Sequence, residues 1–213
     1  VGWYAISDGS IRAYPRGALV KYREWYGSTG EPNVGLKLTA EEVGVGIVER
    51  EAGDLISYGV IDPAAHNHDG GPSIAERILK GSGGKVAFGR ADNSRVGPRG
   101  AMGGWDQLRA RLKGEEGRPM LYFFDTCRDS IRTIPALPHD ENRPEDVDTK
   151  AEDHAGDETR YAVMSRPYVR EADAPKPKTD FFIGTPEGTM QSNLSIKEMI
   201  ERQASRRRER DGT

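Results

Sequence analysis

At 213 residues the chain exceeds one average domain without reaching two, which fits a core of roughly 150 to 170 residues and a tail. Apolar residues make up 35% and charged residues 31%, lean for a packed protein, so part of the length lies outside the core. A net charge of -3 excludes a global attraction to nucleic acid, the single Cys127 excludes an internal disulfide, and no run of about 18 apolar residues exists to cross a bilayer.

The chain opens inside a strand-like run, Val1 to Ser7, with no starting Met, which leads us to expect further material upstream. Asp8-Gly9 is a turn signal, and a second run from Ala18 to Tyr26 completes a hairpin. Thr39 and Glu42 form an N-cap pair that starts a helix over AEEVGVGIVERE. Gly44 and Gly46 weaken that helix by roughly 1 kcal/mol each relative to Ala, so close packing against the sheet is expected there. Ile56 to Ile61 reads as a short strand that ends at Asp62-Pro63, leaving an aspartate at the strand's carboxyl end.

Ser73 to Lys80 is a short amphipathic helix, Lys85 to Gly89 a strand, and Gly103 to Lys113 a helix with Trp105, Leu108 and Leu112 on one face. Met120 to Phe124 is a buried-type strand, followed by one or two helical turns that end near Pro138. An acidic, proline-bearing loop from His139 to Lys150 leads into a last helix, Glu152 to Met164, closed by Pro167. The pattern is α/β over residues 1–170. Beyond Arg170, Pro, Lys, Gly, Thr and Ser dominate; Ala172 to Asn193 reads as a flexible linker and Ile196 to Arg210 as a basic helix, so 171–213 forms a tail.

Two-metal phosphodiester hydrolysis needs several carboxylates converging on cations roughly 4 Å apart. Asp62 stands at a strand end, where α/β sheets place ligand-binding groups, and Asp153 and Asp157 are spaced for one helical face with His154 beside them. On residue type alone, Asp62 more often reads as a turn residue before proline, and the helix acids as first-turn carboxylates favoured by the dipole. Yet like charges four residues apart cost a few tenths of a kcal/mol unless a cation neutralises them.

Arg95 and Arg99, in a glycine-bearing loop, and Arg109 on the following helix are candidates to contact a phosphate backbone. A solvated helix face explains Arg109 equally well. His66, His68 and Asp69 do not match a zinc spacing, and Gly81 to Lys85 lacks the glycine spacing and Ser/Thr of a phosphate loop. Cys127, in an apolar setting without an adjacent base, reads as a buried structural thiol.

Three stretches together resemble the carboxyl-terminal nuclease domain of phage terminase large subunits: YGVIDPAA with GGPSIAE, then RADNSRVGPRGAMGGWDQLRARL, then PMLYFFDTCRDSIRTIPALPHDENRPEDVDTKAEDHAGDETRYAVMSRP. The likeness runs from Val1 to about Pro167, and its most specific part is the acidic loop entering a D-H-x-x-D helix followed by Arg-Tyr. It implies a ribonuclease H-like (RNase H-like) mixed sheet flanked by helices, a metal-dependent endonuclease that cuts concatemeric double-stranded DNA in a viral packaging motor with two Mg²⁺ or Mn²⁺ ions.

Carried over by position, Asp62 and Asp153 hold metal, with His154 and Asp157 as further ligands and Asp157 a further catalytic candidate. Family members carry another aspartate on a first strand, just upstream of where this chain starts. The implied partners are double-stranded DNA, the portal protein or procapsid and the small terminase subunit, in the host cytoplasm, with the isolated domain monomeric. A rival expectation is a nuclease-inactive module that docks DNA or the portal, motivated by the missing carboxylate and the basic segment from Lys197 to Arg210. A cellular resolvase of the same superfamily is a third reading.

Overall fold

A computed structural model describes residues 1–168 apart from Pro32, 98–100 and Glu116, together with the backbone of two short strands further on. Contacts divide the chain into Val1–Arg170 and Glu171–Thr213. In the first unit, strand β1 (Gly2–Ile6) pairs antiparallel with β2 (Leu19–Glu24), and the register shifts between Trp3 and Tyr4. The other edge of β2 takes β5 (Leu121–Phe123) in parallel, giving the order β1-β2-β5. A separate parallel pair joins β3 (Gly59–Ile61) to β4 (Phe88–Arg90). The protein is therefore mixed α/β, with a small mixed sheet and flanking helices.

Because successive strand side chains face opposite ways, one hairpin feeds two cores. Trp3 packs with Ile47 of α1 (Ala40–Glu51), Ile78 of α2 (Ile74–Gly81) and Val86. Leu19 and Leu121 instead meet Trp105 and Leu108 of α3 (Gly104–Lys113), Val147, and Val163 of α5 (His154–Ser165), with Tyr4 against that group. Each fully buried large apolar side chain contributes roughly 1.5 to 3 kcal/mol relative to exposure. The short helix α4 (Arg128–Thr133) continues into a 3-10 turn at Ile134–Ala136.

Local signals act where expected. At α1 the Thr39 hydroxyl accepts from the Glu42 amide at 3.2 Å while the Glu42 carboxylate accepts from the Thr39 amide at 2.7 Å. Ser73 and Glu76 repeat this reciprocal cap at α2. Other expectations need correction. Gly44 packs against α2 rather than the sheet: a methyl there would collide with the Ile78 carbonyl oxygen and come within 2.8 Å of the Ser82 amide nitrogen. Leu112 is 40% exposed, because α3 buries Trp105, Leu108 and Arg111 and turns Leu112 outward.

The second unit also departs from its sequence pattern. The stretch expected to be a linker contains an antiparallel pair, β6 (Phe182–Gly184) with β7 (Met190–Ser192), whose ladder satisfies backbone groups that an irregular linker would leave to water. The basic helix expected from Ile196 to Arg210 lies outside the described residues.

Candidate functional site

Strand β3 stops at Ile61 because Pro63 has no amide hydrogen for a ladder. The chain turns there into a 3-10 helix, Pro63–His66, which Asp62 caps: its Oδ1 accepts from the Ala64 amide at 2.7 Å. The other carboxylate oxygen, Oδ2, accepts from the Tyr161 hydroxyl at 2.5 Å. Tyr161 stands one turn beyond Asp157 on α5, so this bond ties the strand-end acid to the helix that carries the other candidate acids. That hydroxyl, helped by the Ala64 amide and Arg160 against the cost of partial burial, holds the Asp62 carboxyl below its ordinary value. Burial and Asp62 in turn push the Tyr161 phenol up to about 12.

Asp62, His154, Asp157, Glu158 and Tyr161 all line one groove of about 1410 Å³. Its long walls are β1 and β3. Consecutive residues of both strands line it, Gly2 through Ile6 and Gly59 through Ile61, so backbone edges face the space, not only alternate side chains. Among the described residues β1 has β2 as its sole strand neighbour and β3 has β4, which leaves one edge of each strand without a ladder partner. Apolar Ile6, Leu55, Ile56 and Tyr58 line the same groove and are exposed, Leu55 almost completely at 99%.

Asp153 is the N-cap residue of α5, and its side chain makes no cap hydrogen bond. It does not line the groove with Asp62 and Asp157. Burial raises its carboxyl, the nearby Asp157 charge adds to that, and Arg95 and His154 oppose it. Positive charge beside these acids comes from Arg95. Arg95 donates to Asp146 Oδ1 at 2.8 Å and to Asp157 Oδ1 at 3.3 Å, and its Nη1 lies 3.8 Å from Asp153 Oδ2. Arg160, 2% exposed, also donates to Asp157 Oδ1, at 3.0 and 3.1 Å, and fixes the preceding loop through the Asn93 and Ser94 carbonyls.

Arg95 thus points into the carboxylate cluster instead of standing free for a phosphate backbone. Arg109 is the more accessible arginine, its side chain 43% exposed beside Asp106 at 3.5 Å, and Arg99 lies outside the described residues. His154 is exposed on the first turn, 3.9 Å from Asp153 Oδ1.

Sequence reasoning missed Asp146, Glu158 and Lys21. Lys21, 1% exposed on β2, reaches Glu158 Oε2 at 2.6 Å, Ser130 Oγ at 2.7 Å and Glu24 Oε1 at 3.0 Å, while the Tyr4 hydroxyl donates to Glu158 Oε2 at 3.0 Å. Burial alone would lower the Lys21 ammonium, but Glu158 and Glu24 outweigh it and the pKa ends above its ordinary value. The signal was a lysine inside an otherwise buried strand run. Cys127 is fully buried, and burial raises its thiol, as expected of a structural cysteine.

Aspartate oxygens are hard donors of the kind Mg²⁺ and Mn²⁺ prefer. As placed, however, no group of three or more His, Cys, Asp or Glu side chains among the described residues is arranged to hold an ion. The acids that line the groove already have partners, Asp62 with Tyr161 and Asp157 with two arginines. No helix among the described residues is long and apolar enough to cross a membrane. Comparison with protein-family models, with curated proteins and with solved structures finds no match to this chain.

Proposed function

We propose that this chain is the RNase H-like nuclease domain of a viral DNA-packaging motor, a metal-dependent endonuclease acting on double-stranded DNA. The observation that carries the reading is the direct bond from Asp62 at the end of β3 to Tyr161 on α5, which brings the strand-end acid and Asp157 to one groove. The family resemblance calls for another carboxylate, on a first strand just upstream of Val1. Asp62 and Asp157, with Asp153 and His154 at the start of α5, would supply only part of the ligands for the Mg²⁺ or Mn²⁺ ions of this reading.

The expected partners are double-stranded DNA, the portal or procapsid and the small terminase subunit, in the host cytoplasm. Arg109 and the loop holding Arg99 remain the candidates for backbone contact, and Arg95 joins them only if it leaves its carboxylates. The test is nicking of supercoiled plasmid by the complete protein with Mn²⁺: Asp62→Ala should abolish it, with a lowered midpoint from the lost cap and Tyr161 bond but a still cooperative unfolding transition. Undiminished cutting by that variant would refute the assignment.

The occupied state of Asp157 favours a second reading, a docking module without nuclease chemistry. In that case the complete protein binds duplex DNA or the procapsid but never nicks, with or without Asp62.

A further inference from the structure

We propose that Tyr161 is a positioning residue for the nuclease reaction: its hydroxyl sets the orientation of the Asp62 carboxylate toward the groove. The proposal rests on the nuclease reading and adds a role that no carboxylate in it accounts for. Its basis is geometric. Asp62 directly follows a three-residue strand and precedes a proline, and the two-stranded sheet of that short element gives it little support. One carboxylate oxygen is used locally, on the Ala64 amide of its own turn. The other takes the Tyr161 hydroxyl, a contact spanning 99 residues of sequence.

Tyr161 is itself held. The Arg160 guanidinium stacks over its ring at 4.7 Å and is anchored by the Asn93 and Ser94 carbonyls and by Asp157. A single turn of α5 thus fixes two acids, Asp157 through Arg160 and Asp62 through Tyr161. With Oδ1 and Oδ2 both directed by fixed donors, the carboxylate has one rotamer to offer a ligand in the groove. Removing only the hydroxyl leaves the ring's packing and frees the carboxylate to rotate about its side-chain bonds. Catalytic groups displaced by about 1 Å lose on the order of a hundredfold in rate.

The experiment uses the complete protein, Tyr161→Phe, Asp62→Ala and the double variant. Plasmid nicking is followed with Mn²⁺ across DNA concentrations, and thermal unfolding is measured for the same four proteins. The expected result is a kcat lowered about 10- to 100-fold with KM for DNA unchanged. The midpoint losses of Tyr161→Phe and Asp62→Ala should also fall short of adding in the double variant, since each substitution removes one partner of the same bond.

Full-speed nicking by Tyr161→Phe overturns the proposal and leaves the nuclease reading standing. So does a loss that is equally large in KM, which would indicate DNA binding as the role. A parent protein that never nicks removes the nuclease reading and the proposal with it, so the two failures are told apart by the parent alone.

Discussion

A lysine ammonium with 1% exposure is costly unless its charge is answered, and Lys21 has two carboxylates and a hydroxyl within 3.0 Å. Glu24 has 5% side-chain exposure and also accepts from the Asp129 and Ser130 amides and the Ser130 hydroxyl, which cap the start of α4. Replacing such a buried pair by apolar groups is often neutral, whereas deleting one partner strands the other charge and costs about 3 to 5 kcal/mol. We therefore expect Lys21→Met, which keeps most of the stem, to lose nearly as much stability as Lys21→Ala in urea denaturation. A methionine variant as stable as the parent would show that the stem and not the charge matters. The same logic applies along α5: Glu158 answers Lys21, and Asp157 answers Arg95 and Arg160.

At the scale of elements, helix propensity and packing make opposite predictions for one glycine. On an isolated helix Gly44→Ala would gain roughly 1 kcal/mol. In the folded protein α1 crosses α2 so closely that the new methyl meets backbone atoms of Ile78 and Ser82, which cannot move aside as a flexible side chain would. Overpacking of this kind costs about 1 to 3 kcal/mol, so Gly44→Ala should be net destabilising, read as a lower midpoint in thermal unfolding. A raised midpoint would mean the helices separate at little cost.

The contrast also marks what was legible in sequence. The caps at Thr39 and Ser73 are decided within four residues, and so is the proline that leaves Asp62 at a strand end. The partner of Gly44 is not, nor is the Arg95 link to Asp146, which spans 51 residues and comes from a stretch that reads only as an acidic loop. Tyr161 lay within reach of a periodicity argument, since it falls one turn after Asp157, and Glu158 shares a face with His154 one turn earlier.

For the whole molecule, balanced charge hides its arrangement: 31 basic and 34 acidic side chains leave a formal charge of -3, yet many acids are individually paired. The sign of the pH dependence follows from which acids are shifted and in which direction. Tyr161 holds Asp62 below its ordinary 3.8. Burial opposes ionisation of Glu24 and Asp146, but Lys21 in one case and the Val147 amide with Arg95 in the other prevail, so both are also lowered. Arg132 holds Glu152 down at about 2.

A depressed carboxyl binds fewer protons folded than unfolded, so its stabilisation is complete above the unfolded value and disappears as pH falls through the folded one. Asp153 has the opposite sign: burial and Asp157 raise it, so its protonation favours the folded chain as acid is added. Among the described residues nine carboxyls are depressed, Asp8, Glu41, Glu42, Glu76 and Asp92 besides the four above, against Asp153 alone raised, which gives a net loss. The thermal midpoint should therefore fall steadily from about pH 5 toward pH 2. Glu152→Gln should flatten the lowest part of that curve, where Glu152 titrates, and added salt should weaken its share because the pair with Arg132 is open to solvent. A midpoint that rises on acidification would mean that relief of the Asp153–Asp157 repulsion outweighs the paired acids, and that the cluster around Arg95 is strained rather than satisfied.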